Sequence, residues 1–314
     1  MLNLYQLANQ KEFRETKKVA AANWLSLVDP SDEEVELVAQ ELKIEKDYLR
    51  AALDRDEGAR CETEDGQTLI IFDVPMTKKQ DINYTFETLP LAIIITKEAV
   101  VTVTLENNAV IKSLLKQPPK NILNQKCSRF ALQIIFRSMR VYLEYLKKID
   151  SRSRQVETAL YESLQNSELI KMLELQKSLV YFTTSLQSTE SMLNKFSRLS
   201  MITKDEDNQD LFEDVLVESH QALEMANIYS NTLSGVMDAF ASIISNNQNL
   251  VMKTLTVVTV VISIPTLIFS FYGMNVNLPF DQIEADVLTW VIPVIIALFC
   301  TLLTVGFLWK KKSL

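Results

Sequence analysis

Between Lys253 and Asp281 the chain carries no charged residue, and between Asp286 and Lys310 it again carries none. Each stretch exceeds the roughly 20 residues that a helix needs to cross a hydrocarbon core. Two C-terminal membrane-spanning helices are therefore the first expectation, and the rest of the chain has to be compatible with them. Lys253 precedes the first span, Lys310, Lys311 and Lys312 follow the second, and the connecting loop has neither Lys nor Arg. Basic residues gather on the cytoplasmic side, so both termini are expected in the cytoplasm. Asp281, Glu284 and Asp286 then form an acidic loop outside. The opening MLNLYQLANQKEFRETKK lacks the apolar core of a secretory signal. Residues before Lys253 are accordingly expected to stay on the cytoplasmic side of a cell membrane.

The last 64 residues hold four lysines against three acids, so the net charge of −8 leaves about −9 on the first 250 residues. That acidity argues against nucleic acid or an anionic lipid surface as a partner of the soluble part. The three cysteines, Cys61, Cys127 and Cys300, are far apart, and one sits inside a span. They suggest neither a disulfide framework nor a zinc site.

Residues 1–120 read as a cytoplasmic α/β domain. Ser31 followed by Glu34 is a capping-box start, with Val35, Leu37, Val38 and Leu42 as the apolar helical face. Three β-rich runs follow, Thr68 to Val74, Leu91 to Thr96 and Ala99 to Leu105, and predict a small sheet with helices around it. Beyond Pro118-Pro119 there is no proline from Lys120 to Ile264 and one glycine, Gly235, which permits very long helices. Residues 121–210 are expected to form a helical hairpin, with breaks near Asn166 and around Lys204 to Gln209. Residues 211–274 are expected to form one stalk helix that continues as the first span, roughly 90 Å at 1.5 Å per residue. Leu223, Ala226, Leu233, Met237, Phe240 and Ile244 give it an apolar seam. That seam suits either bundling with other copies or packing on the chain's own hairpin. Residues 275–286 are the outer acidic loop, 287–309 the second span and 310–314 a basic cytoplasmic tail. Trp290 and Trp309 anchor the second span, which is expected to face lipid.

The first span is not uniformly apolar. Thr256, Thr259, Ser263, Thr266 and Ser270 recur at spacings of three and four, and the same face extends back to Met252 and Asn249. Hydroxyls in membrane helices commonly bond back to their own backbone, but five in register point to a wetted face. Two helices cannot enclose an aqueous path, so such a face has to be closed by further copies of the chain. The acidic loop would then ring the outer mouth and concentrate cations there. Met252 and Leu255, at the cytoplasmic entrance, suit a gate that closes by contact and dewetting.

At the outer end of the first span stands Tyr272-Gly273-Met274-Asn275, followed by Val276-Asn277-Leu278-Pro279. Together with its position, the Trp309-Lys310-Lys311-Lys312 tail and the long proline-free helix, this run resembles the CorA family of magnesium transporters. The likeness extends to the Asn249–Thr256 segment, which looks like the family's cytoplasmic pore entrance. It implies an α/β cytoplasmic N-terminal domain plus a long α-helical stalk and two C-terminal transmembrane helices, assembled as a funnel-shaped homopentamer. Mg2+ is then both the transported ion and a regulatory ligand, and Tyr272 to Asn275 form the selectivity filter.

The chemistry of the motif agrees. Mg2+ gives up its waters reluctantly, so a site offering neutral oxygens at hydrated-ion distance, such as a ring of Asn275 side chains, suits it. Gly273 permits a sharp helix exit and close approach of neighbouring chains, and Met274 packs the ring. The resemblance further implies intracellular Mg2+ held between subunits by acidic residues. Asp214 matches one such position, whereas the partner position carries Ala51. Asp54, Asp56 and Glu57 stand nearby as substitutes.

Zn2+, Co2+ or Ni2+ is the alternative cargo, Co2+ and Ni2+ also as incidental ones. The path offers no thiolate or imidazole for them, since His220 is placed on the cytoplasmic helix and Cys300 on the second span. A non-conducting membrane-anchored scaffold is the alternative of a different class. An enzyme is disfavoured by the single histidine, the five glycines and the absence of a phosphate-binding loop.

Overall fold

The computed structural model describes all residues except 9–11, 81–82, 120–126, 164–165, 204, 275–285 and 311–314. Residues 1–237 form one compact unit and 238–314 a second.

The first unit is built on a seven-stranded sheet in the order β2-β1-β3-β7-β6-β5-β4. Its strands are β1 (Leu2–Ala8), β2 (Glu12–Glu15), β3 (Trp24–Val28), β4 (Arg60–Glu64), β5 (Gln67–Gln80), β6 (Asn83–Ile95) and β7 (Val100–Thr104). Only β3 and β7 pair in parallel. These two central strands are buried on both faces, so they read in sequence as near-continuous apolar runs. The sheet is larger than the three runs predict. β1 and β2 have only scattered apolar residues because they lie toward an edge, and the RCETE of β4 is a charged edge strand. The β5 and β6 strands also extend beyond the expected runs, through Pro75 and Pro90. Pro75 and Pro90 sit beyond the reach of β4 and β7, where β5 and β6 pair only with each other. There each strand has an open edge, and a missing N–H breaks no ladder.

Helices cover both faces of the sheet. α1 (Asp32–Leu42) and α2 (Lys46–Arg50) pack on Leu25, Leu27, Leu69, Ile71, Ala92 and Ile94. α1 starts in the expected capping box: Glu34 N–H donates to Ser31 Oγ at 3.3 Å, and Ser31 N–H donates to the Glu34 carboxylate at 3.0 Å. The opposite face takes α3 (Ala109–Lys116), α4 (Cys127–Ser163) and α5 (Asn166–Phe196). Trp24, Phe13 and Phe130 form an aromatic cluster there, and Phe86, Tyr142, Tyr145 and Phe182 form a second around the β5–β6 ribbon.

After α6 (Ser200–Thr203), α7 runs from Glu206 to Tyr272 as one 67-residue helix. It begins five residues earlier than expected because Asn208, buried, ties its first turn down. The Asn208 amide donates to Ser128 Oγ at 3.1 Å and to the Met201 carbonyl at 3.0 Å. Of the proposed seam, Leu223, Ala226 and Leu233 are buried within the chain, and Gln176 of α5 donates to Ser234 at 2.9 Å. For this part of the seam, packing on the chain's own helices is the reading that holds. α8 (Asp286–Lys310) completes the second unit.

Asp73 is a polar exception at the helix–sheet joint. Ser185 of α5 donates to its carboxylate, and Ser185 Oγ lies 3.0 Å from Thr88 Oγ1. Burial raises the Asp73 carboxyl above its ordinary value, against the lowering effect of the Ser185 bond. An acid raised on folding favours the folded state in its protonated form. As pH rises past the unfolded value of about 3.9 and on through the folded value, the cost of a buried anion develops and persists. Asp73→Asn should therefore melt above the wild type near neutral pH, the gap closing below about pH 4. Melting curves of the purified full chain at the two pH values check this, and a gap independent of pH would assign the effect elsewhere.

Candidate functional site: the hydroxyl face of the first span

Among the described residues two helices, α7 and α8, are long and apolar enough to cross a membrane, and their apolar stretches lie in unit 2. Only 6% of the most apolar stretch of α7, and 11% of that of α8, is covered by the rest of the chain. A core helix of a soluble protein of the same composition would be mostly buried. Leu250, Val251, Ile262, Leu267, Phe299, Leu302 and Phe307 are all more than half exposed, which requires an apolar surrounding. α8 departs in part from an entirely lipid-facing helix, since Pro293 and Ala297 are buried within the chain.

At 3.6 residues per turn, Thr256, Thr259, Ser263, Thr266 and Ser270 share an arc of about 80° on α7. All five are exposed in the single chain, as are Asn249, Met252 and Leu255. Four of the hydroxyls donate to the carbonyl one turn back: Thr256 to Met252 at 2.8 Å, Thr259 to Leu255 at 2.8 Å, Ser263 to Thr259 at 2.7 Å and Thr266 to Ile262 at 2.8 Å. The back-bonding that explains hydroxyls in apolar helices is thus present, and it has a chemical consequence. A hydroxyl has one donor and two lone pairs, so with its hydrogen committed to the helix it offers its surroundings acceptors. From Thr256 to Thr266 the face is a column of four hydroxyl oxygens whose hydrogens are already committed.

At the outer end α7 stops at Tyr272. Gly273 N–H still donates to the Phe269 carbonyl at 2.9 Å, and Met274 N–H reaches the Phe271 carbonyl at 3.4 Å. Gly273 is not in the left-handed conformation that usually calls for glycine at a helix end; among the described glycines only Gly66 is. The sharp exit expected of Gly273 is therefore not made at Gly273. A methyl placed on it would meet only two carbonyls of its own helix, Phe269 O at 3.2 Å and Ser270 O at 3.7 Å. Met274 is 52% exposed. Asn275, Asp281 and Glu284 lie outside the described residues, and Asp286 opens α8.

Pro265, which sequence reasoning passed over, lies inside α7. Having no N–H, it leaves the Val261 carbonyl without a helical donor. The Ile264-Pro265 dipeptide within an apolar run was the signal.

In the first unit, Asp214 is exposed on the first turns of α7. Ala51 is half-buried after α2 in a 3-10 turn, Ala51–Leu53. Asp54 accepts from the Asp56 N–H at 3.0 Å, and Glu57 is paired with Arg60. Among the described residues no group of three or more His, Cys, Asp or Glu converges to hold a metal within one chain. His220 lies 3.8 Å from Glu190, far along the sequence from the hydroxyl face.

Known proteins share this arrangement. The chain is 27% identical over 256 residues to the cobalt/magnesium transport protein CorA of Methanocaldococcus jannaschii, covering 80% of this chain and 79% of that one. It is 24% identical over 259 residues to the magnesium transport protein CorA of Helicobacter pylori, covering 80% and 79%. The complete structure of the CorA magnesium transporter from Methanocaldococcus jannaschii superposes with a TM-score of 0.84 at 22% identity, over 99% of this chain and 98% of that one, a likeness of fold. The family described as CorA-like Mg2+ transporter protein matches residues 19–311, and with sheet, long helix and two apolar C-terminal helices in place, the chain belongs to that family.

Proposed function

We propose that several copies of this chain form a channel or transporter through which Mg2+ enters the cell down the membrane potential, gated by Mg2+ on the cytoplasmic side. The observation that carries the reading is the column of acceptor-only hydroxyls on α7. A cation that keeps its water shell turns the hydrogens of that shell outward, and a wall of lone pairs receives them without stripping the ion. An anion's shell presents the opposite polarity and finds no free hydrogen on those four hydroxyls. Co2+, also a divalent ion, is a plausible second cargo, in keeping with the name of the Methanocaldococcus jannaschii relative.

The hydroxyl faces of the copies turn toward a shared axis, and the resemblance to the family implies five of them. Both termini are cytoplasmic, Asp281, Glu284 and Asp286 ring the outer mouth, and Tyr272 to Asn275 form the filter, with Asn275 meeting the hydrated ion. Gly273 follows the same logic. Among the described residues only two carbonyls of its own helix lie within 4 Å of a methyl placed there, and the need for glycine arises where copies approach one another. Met252 and Leu255, 60% and 57% exposed at the inner end of the face, form the gate. The resemblance to the family implies a sensing site assembled between chains, and Asp214 of one and the acids around Asp54 to Glu57 of the next supply it.

A divalent ion gains about 4.6 kcal/mol across 100 mV, twice the roughly 2.3 kcal/mol per charge. No ATP is needed, and a gate is.

In proteoliposomes with an imposed potential, Mg2+ influx should rise with voltage, and Asn275→Ala should lower it at least about tenfold, a loss of about 1.4 kcal/mol. Influx indifferent to both would remove the mechanism. Gly273→Ala should leave the melting temperature unchanged and cut influx to a similar extent; wild-type influx in that variant would refute the close approach. Limited proteolysis of the purified protein should slow when Mg2+ is added, and identical rates with and without it would refute sensing.

A further inference from the structure

α5 turns an unusual face to solvent. Ile170, Leu173, Lys177, Val180, Tyr181 and Thr184 are all exposed, at helical spacings that place them on one stripe. Ile170, Leu173 and Val180 are each more than half exposed. The stripe has a single charge, Lys177, whose ammonium lies 5.6 Å from the centre of the Tyr181 ring, and no acid. Of the helix's three acids, Glu168 is bound to Lys171 at 2.7 Å, Glu190 faces His220, and Glu174 is half-buried beside the stripe. Apolar stripes of this size on a soluble surface mark contact sites.

The complement lies on α1. That helix contains Asp32, Glu33, Glu34, Glu36 and Glu41 and no basic residue. Leu37, 46% exposed, stands on its outward face with Glu33 one turn before it and Glu41 one turn after. One surface is apolar with a cation at its centre; the other is acidic with an apolar residue at its centre. They cannot meet within one chain. α1 packs on the sheet face that carries Leu69 and Ile71. The end of α5 lies on the other face, where Lys195 acts on Cys61, the cross-strand partner of Ile70.

We propose that the α5 stripe of one chain docks on α1 of a second copy, Leu173 and Val180 against Leu37, and Lys177 between Glu33 and Glu41. The contact is heterologous: it leaves α1 of the first copy and α5 of the second open, so it repeats, and it closes when the rotation permits a ring. This rests on the cyclic assembly proposed above and adds the soluble surfaces that join neighbours.

The test uses the full-length protein in lipid nanodiscs, with Cys61, Cys127 and Cys300 replaced by serine. Leu37→Cys and Val180→Cys are introduced singly and together, and a short bis-maleimide is applied. The double variant should give a ladder of covalent oligomers, each single variant none, and the two single variants co-expressed only dimers. Lys177→Glu in the double variant should lower the yield several-fold, and Glu33→Lys with Glu41→Lys should restore it. No ladder from a protein that light scattering shows to be oligomeric overturns the docking, as does bridging by a single variant, which would mean that like surfaces meet. A monomer overturns it together with the cyclic assembly. Mg2+ influx measured on the same samples separates the two readings. Influx without a ladder refutes the docking alone, and a ladder without influx refutes the transport reading alone.

Discussion

The second half of α7 offers two surfaces that no single solvent accepts. Leu250, Val251, Ile262 and Leu267 are exposed and cannot remain in water, which places them against lipid or other apolar groups. On the same helix five hydroxyls occupy one arc, and a wetted arc needs a wall between itself and the acyl chains. Among the described residues one chain has α8 alone to contribute, and the exposed side chains of α8 from Ile295 to Trp309 are apolar. The remaining wall has to come from identical helices. Oligomerisation is therefore a solvation requirement of this sequence before it is a matter of function.

Back-bonding and conduction are usually treated as competing explanations for hydroxyls in membrane helices. Here they are the same fact. An uncommitted hydroxyl can rotate and either donate or accept, so its polarity toward an ion is undefined. When Thr256, Thr259, Ser263 and Thr266 spend their hydrogens on carbonyls one turn back, the orientation is fixed by the helix at no cost to the path. In the proposed channel the oxygens act as a preorganised second shell. They are too weak to replace the waters of a small divalent ion and well suited to hold them.

What the sequence disclosed follows from how local each signal is. The capping box at Ser31, the strands around Ile70, Ile93 and Val101, and both spans rest on neighbouring residues and were legible. β1, β2 and β4 were not, because edge strands are defined by what pairs with them: Leu2–Ala8 becomes a strand by lying against Trp24–Val28. The full length of β5 and β6 was hidden for a related reason, as Pro75 and Pro90 lie where the sheet narrows to two strands. At the site, residue types and spacing gave the hydroxyl face. The direction of each hydrogen and the right-handed backbone at Gly273 required coordinates. The family resemblance rested on Tyr272 to Asn275, a run whose last member lies outside the described residues.

The division of labour along α7 follows from where its apolar residues are satisfied. Down to Leu233 one side of it, Phe212, Val215, Ala222, Leu223, Ala226 and Leu233, is buried within the chain, and Gln176 bonds Ser234 there. From Ala239 to Met252 there is no charge at all, yet Asn246, Asn247, Gln248 and Asn249 are exposed together with Leu250 and Met252. A solvated helix of that length would ordinarily carry charges on its outward face. A helix buried in lipid would not carry four consecutive amides. Uncharged, polar and exposed is the composition expected of helices that line a shared aqueous entrance, with amide side chains free to bond water, an ion's shell or the next copy. In the proposed assembly the same helix changes partner along its length, from its own subunit to its neighbours.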